Sequence, residues 1–420
     1  MERGNKNIKY VIDQNLCTGC GMCSNVCPKQ CITTELCTKE GAYRTSINLN
    51  ICINCGFCQK VCPVYTWDNH YENPFVGDYV GIFSGYSLND THRIASASGG
   101  ITTTLLGYLF KKRMIDAAVV AYRKLQSPLE CELRIATSME EVYASKGSVY
   151  SPTSYANIIK SIKTSGLSHF AIVGLPCHIE GMQQLCKLDG KLGCKIVFKI
   201  ALVCGHTPSV KAYEYSLKHL KIKQEDVKGL QNRGEGWPGC MQIDIGRQRV
   251  LKIAYGHKYS WGQTLGSPLF TPSGCKHCMD ATGYRADISI CDAWLAKYSS
   301  DTKGRNLLLV RSREVLKILE EMRQKNLVKL TEENVNDFIE ANQYVFKEKL
   351  YVNAMRSKRH HGVYDGIVFQ KIEDVKALFF SHCYLKAEQV LGGLPKNDIS
   401  LFLLKACKYL ALKWIRLRKF

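Results

Sequence analysis

The sequence predicts a small, cysteine-rich N-terminal domain followed by a larger α/β body. Three observations support this: a four-cysteine run occurs twice before residue 70, the composition changes after His70, and short apolar runs then alternate with helical patterns. Strands that alternate with helices favour a mostly parallel sheet. With 420 residues, 45% of them apolar and 22% charged, the chain has an ordinary globular composition and exceeds the usual size of one domain.

The two cysteine runs are copies of one pattern. Residues 17–28 read CTGCGMCSNVCP and residues 52–63 read CINCGFCQKVCP. The spacing C-x2-C-x2-C-x3-C-P resembles that of bacterial two-cluster ferredoxins, in which three cysteines of a run hold one 4Fe-4S cluster and the fourth holds the other. Residues 1–70 are therefore interpreted as a ferredoxin-like two-cluster domain. Two zinc sites are the alternative, but zinc favours paired CxxC over four-cysteine runs that end in proline.

This rule divides the cysteines of the two runs into two sets of predicted ligands. The first cysteine set is Cys17, Cys20, Cys23 and Cys62. The second cysteine set is Cys27, Cys52, Cys55 and Cys58. Gly19, Gly21 and Gly56 leave room for the backbone to fold tightly around the clusters. Cys31 and Cys37 fall outside the repeated pattern and are interpreted as having no ligand role.

The cysteine content also bears on the compartment. No opening segment combines a basic start with an apolar run, and no stretch reaches the roughly 18 to 20 apolar residues of a membrane-spanning helix. We therefore expect a cytoplasmic protein. Disulfides are rare in a reducing compartment, so metal ligation is the expected role for those of the 21 cysteines that cluster.

The body is expected to begin after a linker marked by Asn73, Pro74 and Gly77. Predicted strands are AAVVAY, FAIVG and KIVFKIALV, at residues 117–122, 170–174 and 195–203, and a predicted helix is SREVLKILEEMRQKN at residues 312–326. No GxGxxG follows a strand, so a dinucleotide-binding unit has no direct support. The expected divisions are residues 78–160 and 161–345 for the two parts of the body, and 346–420 for a helical C-terminal region.

Four further cysteines define a third cysteine set: Cys177, Cys204, Cys275 and Cys278. Cys177 and Cys204 each follow a predicted strand, and Cys275 and Cys278 form a CxxC pair. The carboxyl ends of parallel strands face one crevice, where the CxxC loop can meet the other two cysteines. The alternative is that Cys177 and Cys204 are small core residues and that the CxxC pair is an isolated dithiol.

Residues 80–345 resemble the beta-subunit family of coenzyme F420-reducing hydrogenase and dehydrogenase, which includes 7-hydroxymethyl chlorophyll a reductase of plants. Six blocks in order carry the resemblance: SASGGITTTLL, SKGSVYSPT, VGLPCHIEGMQ, LVCGHTPS, GEGWPG and CKHCMDATGYRADISICDAW. This sequence departs from the family at Cys291, where glycine is usual before the aspartate. The departure puts the tightness of the expected turn in doubt but removes no ligand.

The resemblance implies FAD beside a 4Fe-4S cluster held by the third cysteine set. Implied flavin contacts are Ser98, Gly99, Gly100, Lys146, Gly147, Ser148 and Tyr150. An SGG triplet is often only a turn, and a lone lysine is usually a solvated charge, so both alternatives stay open. The GEGWPG block is interpreted as a rigid turn that walls the site. Catalytic side chains are not indicated.

Together these observations predict an α/β (α+β) flavoprotein body with an N-terminal ferredoxin-like two-cluster domain. The expected activity is an oxidoreductase that passes electrons between a hydride carrier such as F420 or an organic substrate, FAD and three 4Fe-4S clusters. A redox partner protein is implied. The alternative is a non-catalytic electron relay within a larger complex, with no substrate site of its own.

Charge suggests further partners. The formal net charge of +20 can attract acidic proteins, anionic deazaflavin tails or phospholipid. Nucleic acid is not an expected partner, because the sequence has no recognised nucleic-acid-binding motif. In residues 399–420, Lys405, Lys408, Lys413, Arg416 and Lys419 are predicted to share one helical face opposite Leu403, Leu410, Trp414 and Leu417. This helix is expected to lie on a membrane surface, to pack on its own domain or to contact a partner subunit.

Overall fold

The computed structural model describes residues 6–67, 73–246, 248–264, 267–353, 356, 375–391 and 398–414. Residues 6–67 form a module of four short helices and one hairpin. The helices are α1 (Lys9–Asp13), α2 (Met22–Val26), α3 (Phe57–Lys60) and α4 (Pro63–Thr66), and the hairpin strands are β1 (Ile32–Cys37) and β2 (Ala42–Ile47).

The two cysteine runs fold in the same way locally. Gly21 precedes α2 with φ 79°, and Gly56 precedes α3 with φ 81°. Both values lie in the left-handed region, which glycine enters without the steric cost that other residues meet. Their surroundings differ. A Cβ at Gly21 would lie 2.5 Å from the Ala156 backbone nitrogen, whereas a Cβ at Gly56 would lie 3.7 Å from its nearest neighbour, Lys6.

The body is built on an eight-stranded sheet in the order β13-β3-β12-β11-β7-β6-β4-β5. Its strands are β3 (Gly81–Ser87), β4 (Ala117–Arg123), β5 (Cys131–Ala136), β6 (Phe170–Gly174), β7 (Ile196–Leu202), β11 (Ile288–Asp292), β12 (Asn306–Val310) and β13 (Val328–Glu332). A separate three-stranded sheet contains β8 (Gly229–Gln231), β9 (Cys240–Asp244) and β10 (Val250–Ala254).

The large sheet is mixed, so the expectation of a mostly parallel sheet was wrong. Strands β4, β6, β7 and β11 are parallel neighbours, whereas the pairs β4–β5, β11–β12, β12–β3 and β3–β13 are antiparallel. Parallel pairing needs a crossover connection, usually a helix. No crossover helix lies between β4 and β5, and only a 3-10 turn, Ala296–Tyr298, lies between β11 and β12. The three strands predicted from apolar runs are confirmed as β4, β6 and β7.

Helices cover both faces of this sheet. They are α5 (Asp90–Ala95), α6 (Ile101–Lys111), α7 (Met139–Ala144), α8 (Ile158–Thr164), α9 (Pro176–Leu188), α10 (Gly190–Lys195), α13 (Arg313–Gln324), α14 (Val335–Ala341) and α15 (Gln343–Phe346). Helices α11 (Lys211–His219) and α12 (Trp261–Thr264) pack instead with the three-stranded sheet. Shorter turns are 3-10 helices at Gln224–Asp226, Pro268–Phe270 and Ser273–Lys276 and a π-helix at Lys347–Asn353. The predicted helix at 312–326 is confirmed as α13, which buries Ile318 and Met322 against the sheet.

The N-terminal module packs directly on the body and shares its core. Met22 is fully buried, and Gly181 in α9 gives it room, because a Cβ there would lie 2.6 Å from the Met22 Cγ. A Cβ at Gly274 would overlap the carbonyl oxygen of Cys17. Beyond the undescribed residues 68–72, the expected linker is also packed: Phe75 is 3% exposed, and its ring lies 5.3 Å from the ring of Phe346.

Two helices follow the body, α16 (Val375–Leu391) and α17 (Asp398–Trp414). In α17 the side of Lys405 and Lys408 lies opposite Leu403 and Leu410, as predicted, but it is the lysine side that packs on the protein. Lys408 is buried and pairs with Glu348 at 2.7 Å, while Leu403 and Leu410 are exposed. The π-helix supplies the carboxylate that draws Lys408 inward. Residues 415–420 and the side chain of Trp414 lie outside the described structure, and no described helix has the length and apolar character needed to cross a bilayer.

Candidate redox site

The first cysteine set lies around one small cavity. All four of its members line the cavity, together with apolar side chains that include Ile8 and Val11. The second run supplies Cys62 immediately before α4. Burial raises the pKa of Cys20 to about 11 and raises the pKa values of Cys23 and Cys62 as well, so a bound metal would have to offset the cost of ionising these thiols.

The second cysteine set lines another small cavity. Cys55 is exposed, so this cavity is nearer the surface than the first. Cys31, which sequence spacing left outside the pattern, lines it too, and its sulfur lies 3.3 Å from the Cys27 sulfur. The clue in the sequence was its position four residues after Cys27, in CPKQC.

The third cysteine set also comes together, around a further cavity. Cys177 lies in the first turn of α9 after β6, and Cys204 follows β7, so both lie at the carboxyl edge of parallel strands. Asn353 fixes the CxxC loop by donating to the carbonyl oxygens of Cys275, at 3.1 Å, and Cys278, at 2.9 Å. Within the described residues, no three His, Cys, Asp or Glu side chains converge closely enough to bind a single metal ion. The cysteine sets instead border cavities, as ligands of a multi-iron cluster do.

Lys349 faces the third cysteine set, and sequence reasoning missed it. It lines the same cavity and is 2% exposed. Burial lowers the pKa of this ammonium, but the sulfurs of Cys278, Cys204 and Cys275 oppose burial and raise the pKa above its ordinary value. Burial raises the pKa of Cys204 to about 12, and Lys349 opposes that shift. No motif marks Lys349, because it lies in a π-helix about 70 residues after the CxxC pair.

The three cysteine sets follow one another through the protein. Thr18 lines the cavities of both the first and the third set. Cys177 interacts electrostatically with Cys20, and Cys275 with Cys17. On the other side, Cys23 interacts with Cys58 of the second set. The first set therefore lies between the third set, in the body, and the second set, near the surface.

The predicted flavin-contact residues at 98–100 lie beside the same edge of the sheet. Ser98 is buried and donates to the Arg305 carbonyl oxygen at 2.7 Å. A Cβ at Gly99 would lie 2.6 Å from the Gly85 carbonyl oxygen, and Gly100 precedes α6 with φ 74°. The SGG triplet is thus required for packing, and it also places the amino terminus of α6 at this edge.

The second predicted block adjoins the first through His92. The His92 ring lies 3.3 Å from the Gly100 carbonyl oxygen, and burial lowers its pKa, with Lys146 adding to that shift. Lys146 is exposed, and a Cβ at Gly147 would have no neighbour within 4 Å. Ser148 is half-buried. Tyr150 stacks on Trp261, with ring centres 4.8 Å apart.

An arginine among aromatic rings joins these blocks, and sequence reasoning did not assign it. Arg233 pairs with Asp292 at 2.5 Å, and its guanidinium lies 5.0 Å from the Trp261 ring. The Trp237 indole nitrogen donates to Asp292 at 3.4 Å, and the Trp237 ring lies 4.3 Å from that of Trp294. Trp237 belongs to the GEGWPG block, a tight turn in which Gly236 has φ 90° and Gly239 has φ 78°.

Cys291, the departure from the family, lies inside strand β11 and not in a turn. Its sulfur accepts from the Asn342 side-chain nitrogen at 3.4 Å. The doubt about a tight turn therefore does not apply at this position.

Several buried donors in this aromatic region lack a partner among the described residues. They are Arg233 Nη2, Trp261 Nε1 and Asn232 Nδ2. Buried polar groups are normally hydrogen-bonded, so unpartnered donors beside flat aromatic rings fit a planar ligand with acceptor atoms. The residues present therefore fit a flavin ring, and the three cysteine sets fit 4Fe-4S clusters.

Comparison with known families gives three matches. Residues 82–160 match the N-terminal region and residues 167–336 match the C-terminal region of the coenzyme F420 hydrogenase/dehydrogenase beta subunit. Residues 8–66 match a 4Fe-4S dicluster domain. The two beta-subunit matches together cover more than half of the chain.

Individual relatives agree. The coenzyme F420-dependent sulfite reductase of Methanocaldococcus jannaschii is 25% identical over 80% of this chain, and the chain spans only 53% of that relative's length. One of the subunits of the F420H2 dehydrogenase of Methanosarcina mazei is 25% identical over 67% of this chain and 77% of its own. A chain of the F420-reducing [NiFe] hydrogenase complex from Methanosarcina barkeri has a similar fold, with a TM-score of 0.54 and 17% identity over 72% of this chain and 99% of that chain.

Proposed function

This chain belongs to the coenzyme F420 hydrogenase/dehydrogenase beta-subunit family, as an iron-sulfur redox protein, and we propose that it is an FAD-dependent oxidoreductase with three 4Fe-4S clusters. The proposed donor or acceptor of hydride is a deazaflavin such as F420 or an organic substrate. The observation that carries the proposal is the series of three four-cysteine cavities that begins in the body and ends near the surface.

The proposed cluster ligands are the three cysteine sets as defined above. Each set supplies four sulfurs around one cavity, which is the number that a 4Fe-4S cluster requires. Because Thr18 lines two of these cavities and Cys23 lies close to Cys58, neighbouring clusters would be separated by little more than side chains. The chain then provides a short route for single electrons.

The proposed flavin site lies between residues 98–100, residues 146–150 and the aromatic residues around Arg233. A bound flavin exchanges hydride as a two-electron unit and passes electrons singly to iron-sulfur clusters. Arg233 is held in place by Asp292, and its Nη2 is buried in this region without a hydrogen-bond partner among the described residues. The rings of Trp237, Trp261 and Tyr150 exclude water, and exposed Lys146 offers a positive charge to an anionic cofactor.

A non-catalytic relay remains the second candidate. A relay needs clusters alone and gives no reason for buried donors without partners. The unpartnered atoms of Arg233, Trp261 and Asn232 therefore favour a protein that binds a second, organic cofactor.

The partner is proposed to dock over the second cysteine set. Ile51, Ile53 and Phe57 are 49%, 56% and 39% exposed there, and Lys6 and Lys29 line the adjacent cavity. Apolar side chains with positive neighbours suit an acidic one-electron carrier protein. This location also leaves the flavin site free for its hydride carrier.

Anaerobic purification with iron, sulfide and flavin analysis tests the proposal. We expect about twelve irons and one FAD per chain, because three 4Fe-4S clusters hold about twelve irons. Reduced F420, NADH and NADPH are then screened for bleaching of the flavin absorbance. Iron without flavin in the wild-type protein would favour the relay, and about eight irons or fewer would contradict the assignment of three clusters.

A further inference from the structure

The cavity of the second cysteine set has a fifth cysteine on its wall. Cys31 is 5% exposed and lines the cavity together with Cys27, Cys52, Cys55 and Cys58. Its sulfur lies 3.3 Å from the Cys27 sulfur, so one of the two thiols donates a hydrogen bond to the other. A 4Fe-4S cluster needs only four of these five sulfurs.

The backbone holds Cys27 and Cys31 side by side. Cys27 ends α2, and Cys31 directly precedes β1. Between them the Gln30 nitrogen donates to the Cys27 carbonyl oxygen at 3.1 Å, which closes a turn. The Asn48 nitrogen donates to the Cys31 carbonyl oxygen at 2.8 Å and anchors Cys31 to the hairpin. Rotation of one side chain is then enough to exchange the two sulfurs.

We propose that Cys31 is a reserve ligand of the second-set cluster and takes the place of Cys27 when Cys27 is lost. The inference rests on the proposed function only in requiring that the second set holds a cluster. In the exchange the Cys31 thiol releases its proton and its sulfur bonds to iron, while the iron–Cys27 bond breaks and Cys27 takes up a proton. No electron is transferred. While Cys27 is the ligand, the Cys31 thiol donates its hydrogen bond to the Cys27 sulfur.

The position of the second set gives the reserve ligand a use. Cys55 of this set is exposed, whereas Cys20, its equivalent in the first run, is 7% exposed. Oxidants therefore reach the second set, including its partly exposed ligand Cys27, more easily than the first set. The first set has no such reserve: Thr66 stands four residues after Cys62, where Cys31 stands four residues after Cys27.

The duplication supplies a matched control for the test. The wild-type chain and Cys27→Ala, Cys31→Ala, Cys27→Ala/Cys31→Ala and Cys62→Ala variants are reconstituted anaerobically. Iron and sulfide are counted, and each cluster is followed by electron paramagnetic resonance during a redox titration. We expect about twelve irons in Cys27→Ala and a loss of about four in both the double variant and Cys62→Ala. We expect Cys31→Ala to keep its iron and to show a more negative potential for the second-set cluster, because hydrogen bonds to cluster sulfurs set the potential.

Two results would overturn the inference. One is a Cys27→Ala variant that loses as much iron as the double variant, and the other is a Cys31→Ala variant that alone loses about four irons. Retention of about eight irons in the double variant shows that the rest of the chain has folded. A wild-type protein without a second-set cluster would overturn the proposed function as well, and the iron count reveals that before any variant is compared.

Discussion

The ferredoxin-type module and the body hold their cysteine sets by different means. In the module, each run places three cysteines within seven residues and has a left-handed glycine directly before its short helix. In the body, Cys177, Cys204 and the CxxC pair are brought together by two parallel strands and by a loop fixed to Asn353. The module's sites therefore depend mainly on local sequence, and the body's site depends on the whole sheet.

This difference has a consequence for charge. No cysteine of the third set is exposed, and the structure places the buried cation Lys349 against this set. The second set reaches the surface, where solvent compensates charge. Substitutions near the third set and near the second set should therefore have different kinds of effect.

The largest expected effect is the loss of the body cluster. Replacing Cys275 and Cys278 together with serine should remove about four of about twelve irons, because the remaining two sulfurs cannot hold a cluster. Flavin reduction should persist while electron transfer to the module stops, as measured by anaerobic stopped-flow absorbance.

The control is the Cys194→Ser/Cys383→Ser variant, which should leave the iron content unchanged. Both of these cysteines are exposed and lie outside the three cavities. Unchanged iron in the Cys275→Ser/Cys278→Ser variant would return Cys177 and Cys204 to the role of core residues.

A smaller effect is expected where the module meets the body. In Gly274→Ala the new Cβ overlaps the Cys17 carbonyl oxygen, so the two backbones must move apart. Overpacking of this kind typically costs about 1–3 kcal/mol, and we expect about 3 kcal/mol here because the obstacle is backbone. Anaerobic thermal unfolding measures the loss. Gly190→Ala, where a Cβ has no neighbour within 4 Å, should cost little. Equal midpoints of thermal unfolding for the two variants would show that the module does not pack tightly on the body at this position.

Next in size is the effect of the buried cation. Lys349→Met should make the potential of the third-set cluster more negative, because the reduced cluster carries more negative charge and loses a facing ammonium. The change should be about 2 kcal/mol at an effective dielectric constant near 20. Redox titration followed by electron paramagnetic resonance measures it.

Lys347→Met is the matched control, since Lys347 lies on the same π-helix but contacts Gln343 at 3.2 Å. If both variants leave the potential unchanged, Lys349 does not compensate the cluster charge.

The smallest effect concerns Lys405 in α17. Burial lowers its pKa to about 8, against 10.5 in the unfolded chain, so the charged form destabilises the fold below pH 8. Lys405→Met should raise the free energy of unfolding by about 1 kcal/mol at pH 7, after allowance for its partial exposure. The gain should shrink as pH rises from 8 to 10.5, because the wild-type lysine then loses its proton. Thermal unfolding at pH 7 and 10 tests this, with exposed Lys413→Met as control. A gain independent of pH would show that packing, not charge, is responsible.

Much of the module was accessible to sequence reasoning because its ligands are encoded within single runs. The pairing of Cys62 with the first run followed from the duplication, and the structure places Cys62 on the first cavity. Sequence reasoning gave Cys31 no ligand role because only repeated cysteines were considered, and the residue that corresponds to Cys31 in the second run is Thr66. Strands β4, β6 and β7 were accessible because their β-branched apolar runs are buried.

The rest of the body was less accessible, since it depends on tertiary contacts. Antiparallel β12 and β13 could not be anticipated from the periodicity of strands and helices. Arg233 and Lys349 carry no motif, and each became significant only through the groups that the fold brings to it, Asp292 and the third cysteine set. The burial of Lys408 in α17 could not be anticipated, because its partner Glu348 belongs to a distant element.

The left-handed glycines of the two cysteine runs show how the duplicated halves of the module come to differ in their surroundings. Duplication made two halves with the same spacing, yet Gly21 lies against Ala156 of the body while Gly56 has open surroundings. Cys20 is enclosed, and its counterpart Cys55 is exposed. The body thus makes the two equivalent halves of the module different: the first run faces the body, and the second run faces the surface. The direction of the proposed electron route therefore depends on how the module packs on the body, and no residue within the repeated motif determines it.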